Sequence, residues 1–240
     1  MDRSAYTFLD IAIEDGIAFT TFNRPENANR WAFSQEWEMS QFFDDAARSD
    51  DIRVVLFTGR GDTFCGGADH SDDPFDAYDY YERSCTIFRK WMDFDKPMVM
   101  AINGAASGSG LTLAMFGDVV ITERHVEFRD AHVLGGVVSA TGPFLWPPNI
   151  GLLRAKRYLL TGDPFGAEEA ERMGLVNEVV DKGECVTRAT EIATKLASIR
   201  PEAVQGTKRA LNQWQRQAFG SIFEHALSLE FMRFPGGLYQ

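Results

Sequence analysis

The sequence predicts an α/β fold, because strand and helix patterns alternate along its first half. Short apolar runs that end at glycine, 53–59 (RVVLFTG) and 97–104 (PMVMAING), are typical of buried strands. Longer segments at 34–50 and 75–94 carry their apolar residues at helical spacing and predict amphipathic helices. This alternation indicates an α/β core.

The elements of the first half follow in a regular order. Residues 6–26 alternate between apolar and polar side chains around the turn Glu14-Asp15-Gly16, which predicts a β-hairpin. The elements predicted after it are a helix at 34–50, a strand at 53–59, a helix at 75–94, a strand at 97–104, a run of small residues, a helix at 110–117 and a strand at 118–122.

The second half is predicted to be mainly helical, over 149–162, 166–176 and 186–233. Pro201 is expected to begin a helix, because proline is tolerated in the first turn. We place a division after residue 195. Residues 1–195 are then a core, and residues 196–240 are a C-terminal helical region.

Charge and hydropathy exclude several classes of partner. The chain has 240 residues, 45% of them hydrophobic, and a formal net charge of −11. An acidic surface argues against nucleic acid and anionic membranes as partners. The N-terminal segment lacks the apolar stretch of a signal peptide, and the sequence has no apolar run that would span a bilayer. We therefore expect a cytoplasmic protein.

The cysteines do not predict a disulfide framework or a metal site. Cys65, Cys85 and Cys185 are odd in number and widely spaced, and no two of them form a CxxC pair. A reducing compartment fits this pattern. No metal is expected.

A run of small residues is the first candidate for a functional site. Residues 104–110 are all glycine, alanine or serine, and the predicted helix at 110–117 starts at the end of this run. Small side chains let a ligand approach the backbone, and the first N–H groups of a helix lack partners within it. A tight turn between strand and helix, with no ligand, would use the same residues. The pattern alone leaves both interpretations open.

Three segments resemble the enoyl-CoA hydratase/isomerase (crotonase) family. Residues 53–69 (RVVLFTGRGDTFCGGAD) and 96–122 (KPMVMAINGAASGSGLTLAMFGDVVIT) are similar to its two signature segments, and 158–180 is similar to a third. The segments stand in the family's order, and the resemblance covers roughly residues 10–215. It implies a spiral of ββα repeats followed by C-terminal helices that build a homotrimer or a dimer of trimers.

The resemblance also implies the chemistry. In this family two backbone N–H groups hold the carbonyl oxygen of a small substrate, often a CoA thioester, while an enolate forms. By position the donors here are the N–H groups of Ala68 and Ser109. No cofactor is implied beyond the CoA that a thioester substrate carries. The substrate-binding residues predicted around these donors are Gly67, Gly108, Gly110, Thr112, Trp31, His70 and Thr141.

The acids of the family are missing from their usual positions. Its two catalytic glutamates map to Thr112 and His132, and a further carboxylate maps near Ala140 and Thr141. Water addition by two carboxylates is therefore not expected.

His132 is the candidate general base, because histidine titrates near neutral pH. A histidine near this position serves carbon–carbon bond cleavage in the β-diketone hydrolases typified by 6-oxocamphor hydrolase, which Trp31 and the pair Trp146–Pro147 also resemble. That subgroup pairs its histidine with an aspartate where this chain has Thr141. The partner here has to be another acid, and Asp130, two residues away, is the nearest in sequence. Which acid pairs with His132 stays open at this point.

Three functions stay open at this point. The first is an enzyme that hydrates, isomerises or cleaves an acyl-CoA thioester, which family frequency favours. The second is a β-diketone hydrolase that uses His132. The third is a catalytically silent member that binds a ligand or a partner protein.

Weak binding of free CoA is also expected. The family's last helix often adds Phe and Lys contacts to CoA, and its pattern is not found after 223–234. Arg30 and Arg60 are the basic residues nearest the predicted loops. We expect a Kd for CoA of roughly 1 mM.

Overall fold

The computed structural model describes residues 5–69, 71 and 77–231, and within these ranges ten strands form two sheets. In spatial order the larger sheet contains β1 (Leu9–Glu14), β2 (Ile17–Phe22), β3 (Val54–Gly59), β5 (Met98–Ile102), β7 (Val119–Glu123) and β10 (Glu178–Val180). The smaller sheet contains β4 (Thr63–Cys65), β6 (Ala105–Ser107), β8 (Glu127–Arg129) and β9 (Phe165–Gly166).

Helices fill most of the remaining described chain. They are α1 (Phe33–Arg48), α2 (Ala77–Asp93), α3 (Ser109–Phe116), α4 (Gly142–Ile150), α5 (Leu152–Thr161), α6 (Ala167–Met173), α7 (Cys185–Ser198), α8 (Pro201–Leu211), α9 (Gln213–Ala218) and α10 (Glu224–Phe231). Two 3-10 helices span Pro25–Asn27 and His132–Gly135, and a π-helical turn spans Phe219–Phe223. No helix in the described ranges is long and apolar enough to cross a membrane.

The N-terminal hairpin is confirmed. Strands β1 and β2 pair antiparallel, with Glu14 opposite Ile17. The two residues between them, Asp15 and Gly16, have φ values of 49° and 82°. Positive φ at both positions matches the right-handed twist of the flanking strands. From β2 onward every strand pair of this sheet is parallel.

The chain then repeats a ββα unit three times, as the resemblance implied. In each unit the first strand joins the larger sheet, the second joins the smaller sheet, and a helix follows. The units are β3-β4-α2, β5-β6-α3 and β7-β8-α4. Strands β4, β6 and β8 are therefore parallel neighbours, so their carboxyl ends lie at the same edge of the smaller sheet.

Helix α7 packs against the larger sheet. Ala189, Ala193 and Ala197 recur every four residues on α7 and form a buried cluster with Val54 and Val99 of the sheet. Their small side chains allow a helix to lie close to buried parallel strands. The division predicted after residue 195 falls inside α7, one turn before this helix ends.

The C-terminal helices pack on the helices that follow the ββ units. The ring of Phe223 meets the rings of Phe88 on α2 and Phe144 on α4, with centroids 5.1 and 5.9 Å apart. Leu227, one turn later, is also buried in this core. This packing lays α10 along α2, so that Glu230 reaches Tyr80.

Candidate active site

Two backbone loops meet beyond the ends of β4 and β6. These strands are parallel, with Cys65 opposite Ala106. The pair Gly67-Ala68 therefore follows one strand, and Gly108-Ser109 follows its neighbour. Parallel pairing thus places both predicted donor loops at the same edge of the smaller sheet.

Glycine is needed in these loops because the backbones approach closely. Gly67 has a φ of 103°, and a Cβ there would lie 3.1 Å from the carbonyl oxygen of Ser107. Gly108 has a φ of 51°. At Gly110 a Cβ would lie 2.4 Å from the carbonyl oxygen of Cys65. Since contacts this short do not occur, only glycine lets α3 begin directly against β4.

Part of the run of small residues is a strand, which the sequence pattern did not predict. Residues Ala105–Ser107 form β6, which pairs with strands on both sides. Its side chains have no strong strand preference, so the pairing determines the structure. A Cβ at Gly104 would lie 2.0 Å from the Asp62 carbonyl oxygen. Gly108 differs, because a Cβ there would meet only the Gly67 Cα among the described atoms, at 3.7 Å.

The N–H groups of Ala68 and Ser109 have no hydrogen-bond partner among the described residues. Around Ala68 the loop is fixed on both sides, since the Trp31 N–H donates to Gly67 O at 3.2 Å and the Asp69 N–H donates to Trp31 O at 2.7 Å. Ser109 is the first residue of α3, where N–H groups have no acceptor within the helix. As far as the described chain extends, both groups are therefore available to donate to a ligand.

Trp31 contributes its backbone to this arrangement. It forms a parallel bridge with Ala68. Its indole is 3% exposed and packs edge-on against the rings of Phe8, Phe22 and Trp91. The structure therefore brings the main chain of Trp31 to the loop and its side chain to the core.

Beside the N-terminus of α3 lies a small cavity of about 40 Å³. It brings together four of the residues predicted from sequence and six others. The lining residues are Ser109, Thr112, His132 and Thr141, with Tyr80, Ser84, Phe88, Ala140, Leu227 and Glu230. The segment after β8, helix α3 and the two helices α2 and α10 each supply part of the wall.

His132 is held by Asp130. Its Nδ1 lies 2.5 Å from Asp130 Oδ1, and its backbone N–H donates to the same oxygen at 3.2 Å. The other carboxylate oxygen, Asp130 Oδ2, accepts a hydrogen bond from Ser139 Oγ at 2.8 Å. Because Asp130 occupies Nδ1, the nitrogen left for a substrate is Nε2.

The two groups titrate as a pair. Burial lowers the pKa of His132, but the hydrogen bond and the charge of Asp130 outweigh it, and the pKa is raised above its ordinary value. Burial raises the pKa of Asp130, but its hydrogen bond to His132 and the charge there outweigh it, and this pKa is lowered. The carboxylate thus stabilises the imidazolium that forms when His132 takes a proton.

A hydroxyl pair stands where the family has acids. Thr112 Oγ1 and Thr141 Oγ1 lie 2.8 Å apart and are buried. Each hydroxyl donates or accepts within this pair, and neither carries a charge. The pair borders the cavity without offering a base.

Glu230 was not among the site residues predicted from the sequence. It lies on α10 and is 6% exposed. Helical spacing was the available signal: Phe223, Leu227 and Glu230 stand at i, i+4 and i+7, so an acid occupies the apolar face of its helix.

Other predicted groups lie elsewhere. His70 is outside the described residues. Arg60 pairs with Asp10, with the guanidinium nitrogen 2.5 Å from the carboxylate oxygen. Within the described ranges, no three His, Cys, Asp or Glu side chains are arranged to hold a metal ion.

The chain is similar in sequence to known enzymes over most of its length. The chain is 30% identical over 233 residues to 1,2-epoxyphenylacetyl-CoA isomerase of Escherichia coli K12, covering 93% of this chain and 88% of that protein. It is 31% identical over 224 residues to (E)-benzylidenesuccinyl-CoA hydratase of Thauera aromatica, covering 90% and 88%.

A solved structure and a family model also match most of the chain. The crystal structure of an enoyl-CoA hydratase/isomerase from Mycobacterium paratuberculosis matches with a TM-score of 0.88 at 30% identity, over 94% of this chain and 93% of that one. The model of the enoyl-CoA hydratase/isomerase family matches residues 12–228. The match spans both sheets and most of the C-terminal helices, so the chain is an enzyme of the enoyl-CoA hydratase/isomerase (crotonase) family.

Proposed function

We propose that the protein isomerises an acyl-CoA thioester through an enolate. The thioester carbonyl oxygen accepts hydrogen bonds from the N–H groups of Ala68 and Ser109, and His132 moves the proton. The observation that carries this proposal is a pair of N–H groups at neighbouring loops that have no partner among the described residues, with His132, hydrogen-bonded to Asp130, on the wall of the adjoining cavity. The CoA esters in the names of the relatives support a thioester as substrate.

Each group has a defined task in this reaction. His132 Nε2 takes the proton next to the thioester carbonyl, and negative charge develops on the carbonyl oxygen. Donors that are already in place stabilise that charge without reorganisation. Asp130 keeps the imidazole oriented and stabilises the imidazolium.

Proton transfer fits the cavity better than water addition. The hydroxyls of Thr112 and Thr141 are paired with each other, so neither replaces the carboxylates that position and activate water. We therefore expect isomerisation of a 3-enoyl-CoA to exceed hydration of a simple enoyl-CoA such as crotonyl-CoA.

The test removes one N–H. Ser109→Pro deletes the donor, and proline is tolerated at the first position of a helix. We expect kcat/KM for a 3-enoyl-CoA to fall by roughly 10²–10³, the usual share of one oxyanion donor. Ser109→Ala is the matched control, because it alters the side chain and keeps the N–H. The difference between the two variants measures the N–H alone. Equal activity in both would contradict the proposal.

A second function follows from the same histidine. The chain Ser139–Asp130–His132 would also position a base to activate water for cleavage of a β-diketone. A cyclic β-diketone needs no CoA. Turnover of such a diketone, together with no turnover of any thioester, would favour this alternative.

A further inference from the structure

Glu230 is a buried acid beside the proposed base. It lines the cavity together with His132 and Ser109, although it comes from α10, far along the chain. We propose that the carboxyl group of Glu230 is the second proton-transfer group of this site and delivers the proton that completes the reaction. This inference rests on the proposed function.

The hydrogen bonds of Glu230 determine which of its two carboxyl oxygens is able to carry a proton. Oε2 accepts from the Ala140 N–H at 3.1 Å, and that donor has a fixed position. Oε1 lies 3.2 Å from the hydroxyl of Tyr80 on α2. Since a hydroxyl both donates and accepts, only Oε1 is able to carry a proton without losing its partner. The acidic proton therefore resides on Oε1.

The surroundings favour a protonated carboxyl. Burial raises the pKa of Glu230, and the hydrogen bonds and the charge of His132 offset this only in part. The titratable groups that face it are Tyr80 from α2, and Asp130 and His132 from the segment after β8. On its own helix, Glu224 pairs with Arg89 instead. A carboxyl whose pKa is raised by burial is a suitable proton donor.

The position of Glu230 compensates for the missing acids. Thr112, His132 and Thr141 occupy the places where the resemblance expects carboxylates, and Glu230 lines the same cavity from the opposite end of the sequence. A base and an acid on one cavity suit a reaction that removes a proton from one carbon and adds one to another.

The step balances for a 3-enoyl thioester. His132 Nε2 takes a proton from the α-carbon, and the electron pair forms a dienolate whose oxygen lies between the two N–H groups. The γ-carbon then takes the proton from Glu230 Oε1, and the double bond moves to the α,β position. A proton transfer from the imidazolium to the carboxylate restores both groups.

The experiment uses trans-3-hexenoyl-CoA in D2O and follows two events. Isomerisation is measured by absorbance of the conjugated product, and α-proton exchange is measured by NMR. In Glu230→Gln the amide oxygen accepts the Ala140 N–H and the amide NH2 meets the Tyr80 hydroxyl, so the protonated geometry is kept but no proton is released. We expect isomerisation to fall by roughly 10²–10⁴, while α-proton exchange persists.

Controls separate the inference from the proposed function. Glu224→Gln changes an acid on the same helix outside the cavity and is expected to leave both rates unchanged. Glu230→Asp keeps an acid and is expected to recover part of the isomerisation, and it reports on the role should the glutamine variant not fold. Exchange with full isomerisation in Glu230→Gln would overturn this inference alone. Neither isomerisation nor exchange in the wild type would overturn the proposed function and this inference together.

Discussion

At the scale of single residues, His132 and Asp130 act as one unit, because each shifts the pKa of the other away from its ordinary value. The raised pKa of His132 means that the imidazole stays protonated, and unable to act as a base, to a higher pH than a free histidine. We therefore expect kcat/KM of the wild type to rise with pH as the imidazolium loses its proton. The midpoint of this acid limb should lie at a higher pH than the ordinary pKa of histidine.

Asp130→Asn tests this coupling. The substitution removes the charge that holds the proton on His132, and burial then acts to lower its pKa. The acid limb is expected to move to lower pH, and the maximal rate is expected to fall because the imidazole loses its anionic partner. The pH dependence of kcat/KM for a 3-enoyl-CoA measures both effects.

Glu127→Gln is the matched control for that experiment. It removes an exposed carboxylate from β8, three residues before Asp130, and should leave the limb in place. His132→Ala should abolish the limb and lower kcat by roughly 10²–10⁴. An unchanged limb in Asp130→Asn would show that the rate follows a different group.

At the scale of elements, the junction of β4 and α3 aligns the two proposed donors. Gly110→Val would place a Cβ 2.4 Å from the Cys65 carbonyl oxygen and 2.6 Å from the Cys65 Cβ. Helix α3 has to move away from β4, which carries Ser109 away from Ala68. We expect a loss of about 1–3 kcal/mol in the free energy of unfolding, typical of overpacking, together with loss of activity.

Urea unfolding and activity assays check this prediction against Gly206→Ala. Gly206 lies in the interior of α8, and a Cβ there would have no described atom within 4 Å. This control is expected to raise stability by about 0.5–1 kcal/mol, because alanine favours a helix more than glycine. If Gly110→Val were as stable and active as the control, the close approach would not matter.

The long elements were predictable from sequence, and the short ones were not. Strand β3 and helix α1 were predicted to within about two residues, because their apolar patterns extend over several residues. Strands β4, β6 and β8 contain three residues each, too few to show a period. Only pairing with neighbours far along the chain makes them strands.

Only part of the site was predictable from the sequence. Ser109, Thr112, His132 and Thr141 come from segments that carry family motifs, and the structure brings all four to one cavity. Glu230 comes from α10, where a polar residue in a helical pattern ordinarily faces solvent. Its hydrogen bond to Ala140, 90 residues away in sequence, depends on how the C-terminal helices pack.

At the scale of the whole molecule, a further concave surface shares no lining residue with the cavity that contains His132. It is a groove of about 780 Å³ between α4 and the segment from the end of α8 to the π-helical turn. Apolar side chains along it include Leu145, Leu211, Trp214 and Ile222, and no charged residue lines its described part. Trp214 is 76% exposed and Leu211 is 62% exposed. Exposed apolar surface of this kind marks a contact surface.

We expect this groove to be covered by another copy of the chain in a trimer, since the resemblance assigns trimer formation to the C-terminal helices. Trp214→Glu would place a charge against the partner's apolar surface and should give a particle of single-chain mass in size-exclusion chromatography with light scattering. Trp37→Glu is the matched control: Trp37 is 74% exposed on α1, but it lies among Glu36, Glu82 and Arg83. The control should keep the mass of three chains, or of six. A single-chain mass in the wild type, or equal dissociation of both variants, would contradict this assignment of the groove.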